Sequence, residues 1–172
     1  MTVSFNENYF QLFEIEQSVF IDFNVLEEKY LELQKEFHPD KYVNASDREK
    51  LLSLQITSYI NEAYNTLKND YLKSIYLLKI EGYELEDQNN TISDSKFLIH
   101  QMELREESEK LIINKNSKEH EDFCIKISEL KNKCLEKFRI NYEKKFYEDA
   151  SEQIKKMKFY MSIENDFKKD IL

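Results

Sequence analysis

His38-Pro39-Asp40 sets an imidazole and a carboxylate on either side of the only proline in 172 residues. Two titratable groups so placed could pass a proton, contribute to a metal site, or form a fixed hydrogen-bonding surface for another macromolecule. A second pair, His100 with Glu103, offers the same two group types. Acid–base or metal catalysis needs more than such a pair. No nucleophile stands beside either histidine, no glycine-rich loop exists to cradle a phosphate, and His38, His100 and His120 are scattered, with no close pair of histidines or of cysteines. Neither a metal nor a cofactor is expected. A small hydrolase using His38 with Asp40 remains the alternative from another class, and turnover by the isolated chain would identify it.

Cys124 and Cys134 add no redox chemistry, because ten residues of helix hold them about 15 Å apart, beyond the roughly 7 Å a disulfide can span. The formal charge of −9 opposes a phosphate backbone, which attracts clustered Lys and Arg. No apolar run approaches the roughly 18 residues needed to cross a bilayer, and MTVSFNENYF has neither a basic signal region nor an Arg-rich transit pattern. Nucleic acid and membrane are therefore not expected as partners, and a cytoplasmic setting is.

The elements that must carry these groups are helical. Charged residues reach 34% and hydrophobic ones 41%, while the single glycine and single proline leave almost no turn formers, so the fold class is all-α. Leu26, Tyr30, Leu33 and Phe37 repeat at steps of four, three and four along a helix starting near Asp22. Pro39 disfavours α geometry before it and donates no hydrogen bond, so that helix ends at or before His38. Ser46 and Glu49 fit a capping box opening a second helix, with Leu52, Ile56, Tyr59, Ala63 and Leu67 as its stripe. The connection from His38 to Ala45 is long for a helix hairpin and carries His, Asp and Lys, which asks for a functional explanation.

Tyr9–Phe13 reads as a short aromatic helix before this hairpin and Tyr71–Ile80 as another after it. The segment 81–90, EGYELEDQNN, holds the only glycine and no period. The domains are accordingly 1–80, a linker over 81–92, and a three-helix bundle over 93–172, with helices at about Ser93–Asn114, Lys118–Tyr147 and Glu148–Lys169. Phe123, Ile127, Leu130 and Cys134 form the middle helix's core stripe, and Ala150, Ile154, Met157 and Met161 that of the last.

Two features exceed packing. Phe97, Gln101, Leu104, Ser108 and Leu111 share one side of the first C-terminal helix, whereas Leu98, Ile99 and Met102 lie roughly 100–200° from Phe97, with Glu103 and Glu106 near them. Phe159 likewise points about 160° from Met157. A helix touching two neighbours could internalise so broad an arc, or the arc could be an exposed patch whose apolar anchors supply affinity while an acidic rim selects a basic partner.

KEFHPDKY between two amphipathic helices, with Asn61-Glu62-Ala63-Tyr64 and Leu67 on the second, resembles the J domain of DnaJ-type co-chaperones. Beyond the boundary, Phe97-Leu98-Ile99-His100-Gln101-Met102-Glu103-Leu104-Arg105-Glu106-Glu107 resembles the C-terminal domain of the HscB family of iron–sulfur cluster co-chaperones, so the similarity spans nearly the whole chain. The resemblance implies a non-enzymatic partner of a DnaK-type (HscA-like) ATPase, which it stimulates, and of an IscU-like cluster scaffold, which it delivers. A J domain serving another client is the nearer alternative. By the same resemblance His38, Pro39 and Asp40 contact the chaperone, supported by Lys29, Lys35 and Lys41, and Leu98, Ile99, Met102, Glu103, Glu106 and Phe159 contact the scaffold. Glu27, Glu28, Glu32 and Glu36 make the helix before the turn less basic than in many J domains. The lack of an N-terminal cysteine zinc module, found in eukaryotic relatives, points to a bacterial member.

Overall fold

The computed structural model describes residues 5, 7–85, 95–114 and 117–171. Its helices are α1 (Tyr9–Leu12), α2 (Phe23–Phe37), α3 (Asp47–Lys68), α4 (Asp70–Ile80), α5 (Ser95–Asn114), α6 (Ser117–Glu143) and α7 (Tyr147–Ile171), with a 3₁₀ turn over Pro39–Tyr42. The fold is all-helical, and the chain divides into compact units at residues 1–76 and 77–172. The last residues of α4 thus group with the second unit, whereas the sequence suggests a first domain reaching residue 80. Most of the expected linker, 86–92, and the expected helix start at Ser93 lie outside the described residues.

In the first unit α2 and α3 form an antiparallel hairpin. Asp22 caps α2 by accepting from the Asn24 N–H at 2.9 Å, and Ser46 and Glu49 make the reciprocal box that opens α3. Serine donation to the Glu49 carboxylate holds that group below its ordinary pKa. Tyr30 stacks on Tyr64 with ring centres 4.0 Å apart, and Tyr30 and Gln34 both donate to the Asn61 side-chain oxygen, at 3.0 and 2.6 Å. Phe10, Phe13, Leu26, Ile60 and Leu67 are fully buried. Each contributes about 1.5–3 kcal/mol on burial.

The buried stripe of α3 differs from the expected one by a small rotation: Ser53, Ile56, Ile60, Ala63 and Leu67 face inward, Leu52 is 46% exposed, and Tyr59 is half-buried. Hydrophobic period alone favours Leu52 over Ser53. The serine wins because its hydroxyl has a buried acceptor, and Tyr59 can sit at the margin because its hydroxyl donates to the Glu7 carbonyl at 2.6 Å.

In the second unit α6 and α7 pair along their length and α5 packs on both, principally on α7. Phe123 meets Phe167 with ring centres 4.7 Å apart, and Phe97 meets Tyr160 edge-on at 5.9 Å. Phe97, Leu104 and Ser108 are buried as the α5 stripe requires. On α7 Tyr160 is buried, while Met161 is half-buried. Burial pushes the Cys134 thiol up to about 11, which makes it an inert core group at neutral pH.

α6 ends at Glu143, four residues before the expected end. Lys145 turns left-handed at φ 61°, its N–H reaches the Tyr142 carbonyl at 2.9 Å, and the Phe146 N–H reaches Asn141 at 2.8 Å. This is a Schellman closure with lysine where glycine is usual. Glu14 (φ 52°) closes α1 in the same way, and Gly82 (φ 83°) closes α4. Only Gly82 announces such an ending by its residue type.

Candidate functional site

The His38-Pro39-Asp40 turn begins where α2 runs out of backbone donors. Pro39 has no N–H to offer the last turn of the helix, and the Lys41 N–H goes to the His38 carbonyl at 3.0 Å, starting the 3₁₀ turn. His38, pushed from the α region by the following proline, adopts φ −58°, ψ 130°. There its Nδ1 accepts the Asp40 N–H at 3.2 Å and caps the 3₁₀ turn. A neutral His38 therefore carries its proton on Nε2. The nearest Asp40 carboxylate oxygen lies 3.6 Å from Nδ1, too far for a hydrogen bond. Both side chains stand in solvent, at 52% exposure for His38 and 87% for Asp40.

The Phe37 carbonyl, left without a helical donor, receives two hydroxyls from the neighbouring helix: Ser53 Oγ at 2.9 Å and Thr57 Oγ1 at 3.1 Å. Phe37 itself is buried, so the turn springs from an anchored residue. Sequence reasoning did not single out Ser53 or Thr57. Their signal, two hydroxyls four residues apart on α3, is legible only once α2 is known to stop at Phe37.

The expected lysines separate. Lys35 and Lys41 are exposed, flank the turn, and make no ion pair among the described residues. Lys29 lies nine residues before His38, about 13 Å back along the axis of α2. Its ammonium meets Glu14 at 3.0 Å and Glu32 at 3.6 Å, and the hydrogen bond to Glu14 raises its pKa above the ordinary value. The structure thus pairs Lys29 with a residue that follows α1, back along α2 from the lysines beside the turn.

On α5, Leu98, Ile99 and Met102 are 46%, 58% and 65% exposed, which decides between the two readings of the apolar arc in favour of a surface patch. Glu103 and Glu106 border it, with Glu103 3.8 Å from His100 and Glu106 3.8 Å from Lys110. Phe159 differs from the other three. It is half-buried, meets Phe97 edge-on at 5.8 Å, and carries the Arg105 guanidinium 5.7 Å from its ring centre. Arg105, which the sequence reading passed over, thus shields the ring and sets one positive charge in an acidic border.

Among the described residues no group of three His, Cys, Asp or Glu side chains is arranged to hold a metal, and no helix is long and apolar enough to cross a membrane.

Comparison with known proteins gives concordant findings. The family model described as the HSCB C-terminal oligomerisation domain matches residues 93–168. The co-chaperone protein HscB homolog of Aliivibrio salmonicida is 33% identical over 94% of this chain and 95% of its own length. That of Shewanella halifaxensis is 36% identical, over 92% and 94%. Among solved structures, the chaperone HscB from Vibrio cholerae superposes with a TM-score of 0.86 at 32% identity, covering 94% of this chain and 96% of that one. Human co-chaperone HscB gives 0.89 at 26% identity, over 98% and 84%.

Proposed function

We propose that this chain, which belongs to the HscB family of co-chaperones, stimulates the ATPase of a DnaK-type, HscA-like chaperone through its first unit and delivers an IscU-like iron–sulfur cluster scaffold to it through its second. One observation carries the reading: an imidazole and a carboxylate are held outward on a proline-containing turn between two packed helices. In this reading the chain turns over no substrate of its own. Asp40 accepts hydrogen bonds from a basic group of the ATPase, and charge-assisted bonds of that kind are among the stronger ones proteins make. Lys35 and Lys41 favour approach to an acidic surface. Stimulation follows if the turn binds the hydrolysis-competent conformation of the ATPase better than its resting one.

The second unit supplies selection of the client. Leu98, Ile99 and Met102 provide exposed apolar anchors, and Glu103 and Glu106 favour a scaffold with basic groups around its contact surface. The proposed setting is the cytoplasm of a bacterium, the second half of which is supported by the bacterial origin of the two sequence relatives named above.

Steady-state ATP hydrolysis by a purified HscA-type chaperone tests the reading, measured alone, with this protein, and with an IscU-type scaffold added. Stimulation by the chain, more than additive with the scaffold, is expected. Asp40→Asn and His38→Gln should lose stimulation while keeping helicity and scaffold binding, because both side chains are exposed. Full stimulation by either variant would refute the role of the turn.

A further inference from the structure

We propose that Ser53 and Thr57 are positioning residues for the His38-Pro39-Asp40 turn: by holding the Phe37 carbonyl from α3, they fix where and in which direction the turn leaves α2. The functional half of this inference rests on the chaperone reading above, and the structural half stands without it.

The argument begins from an unmet hydrogen-bonding need. A helix end leaves its last carbonyls without intrahelical donors, and buried ones must be satisfied elsewhere. Proline at position 39 deepens this need by removing a donor, and the 3₁₀ turn diverts the Lys41 N–H to His38. The last residue of α2 is therefore an acceptor with no local partner. It could bond water, as exposed helix ends do, but Ser53 is 2% exposed and reaches it at 2.9 Å. Thr57, one helical turn further along α3, takes its second lone pair at 3.1 Å.

Two hydroxyls four residues apart on one helix grip one oxygen on another, which restrains its position and direction more tightly than either bond would alone. A buried serine in an otherwise apolar stripe also has a cost unless it makes such a bond. Everything that presents Asp40 follows this oxygen in the chain: the His38 carbonyl that starts the 3₁₀ turn, and the His38 ring that caps it. Loosening the grip lowers the fraction of molecules with the turn correctly aimed, and apparent affinity falls in proportion to that fraction.

The prediction is a split that separates positioning from direct contact. Thr57→Val keeps shape and removes the hydroxyl, Thr57→Ser keeps the hydroxyl, and Ser53→Ala removes the buried one. In the chaperone ATPase titration, Ser53→Ala with Thr57→Val should raise the half-saturating concentration about tenfold and Thr57→Val alone about threefold, with maximal stimulation retained. Asp40→Asn, in the same assay, should lose the maximum itself. Thr57→Ser should follow the wild type. Amide hydrogen exchange of the full chain gives a readout that needs no chaperone: the Lys41 N–H should lose protection in Thr57→Val and in the double variant but not in Thr57→Ser, with the protection of α5–α7 unchanged.

Wild-type Lys41 protection in Thr57→Val and in the double variant would overturn the inference. So would lost protection with an unshifted half-saturating concentration, since the grip would then not govern presentation. If the wild-type chain fails to stimulate any HscA-type chaperone, the proposed function falls, and the exchange measurement still decides whether these hydroxyls set the turn.

Discussion

Replacing Leu98, Ile99 and Met102 together by alanine gives the sharpest test of the second unit, because all three expose about half or more of their surface while Phe97 and Leu104 beside them are buried. Full burial of such a side chain is worth about 1.5–3 kcal/mol. Scaled by exposures of 46%, 58% and 65%, the area each can still remove from water is worth about 0.7–1.4, 0.9–1.7 and 1–2 kcal/mol. Alanine keeps the Cβ, so the triple variant should lose about 2–4 kcal/mol of scaffold affinity, a rise in Kd of about 30- to 1,000-fold. Calorimetric titration with a purified IscU-type scaffold measures it. Thermal unfolding of the same variant measures the separate cost to the fold of the part of each side chain that is already covered, while Phe97 and Leu104, which are buried, keep α5 on the bundle. Phe159 is deliberately left intact: its ring packs on Phe97, so truncating it would mix lost contact with lost packing. An unchanged Kd in a folded triple variant would refute the reasoning.

Further outcomes follow from other parts of the structure. The Lys73 side chain is 2% exposed, with its ammonium 2.7 Å from Asp70 and 5.5 Å from the Phe23 ring centre. Asp70→Asn should therefore cost about 3 kcal/mol in urea unfolding, at the low end because Asp70 is itself half-exposed, while Lys73→Met should stay within about 1 kcal/mol of wild type. Burial works against the charged form of Glu164, but Lys131 and Lys168 outweigh it and hold the carboxyl below its ordinary value. Its contribution should then be complete above the unfolded value of about 4.3 and be lost as pH falls through the lower folded value, so the stability gap between wild type and Glu164→Gln should close in acid. A gap that persists unchanged there would assign the difference to packing. Raising salt from about 50 to 200 mM should shift half-saturation of the chaperone ATPase less than Pro39→Ala does, and the reverse order would show that charge, not stiffness, governs the encounter.

The sequence disclosed those features whose residue types are unusual where they stand. Pro39 marked the end of α2, Ser46 with Glu49 marked the start of α3, and Leu98, Ile99 and Met102 stood off the α5 stripe by angle alone. What it concealed are arrangements made by ordinary residues. Lys145 and Glu14 take the left-handed position that Gly82 advertises, so the end of α6 could not be read from composition. Ser53 is buried ahead of Leu52 because a carbonyl on another helix needs a donor, a fact that exists only in three dimensions. Lys29 also meets Glu14, fifteen residues earlier, at 3.0 Å, a pairing that only the fold brings about. Phe159 lies off the buried stripe of α7, but angle alone does not show that Phe97 meets it edge-on and that the Arg105 guanidinium stands over its ring.

These differences bear on how, in the proposed complex, an acidic protein would engage a chaperone through a turn with basic flanks. With a net charge of −9, with Lys29 paired to Glu14 and Glu32, and with Glu27, Glu28 and Glu36 on the same helix, the field around α2 offers little long-range attraction. Lys35 and Lys41 can act only at short range, where orientation counts. In the proposed complex affinity then comes from the turn's own contacts, which cost least in ordering entropy when the turn is already rigid. Pro39, the His38 cap on Asp40, and the two α3 hydroxyls on Phe37 all restrict the same six-residue stretch. In the proposed complex rigidity thus substitutes for charge: with little long-range attraction to gather encounters, the turn arrives with its imidazole and carboxylate already in place.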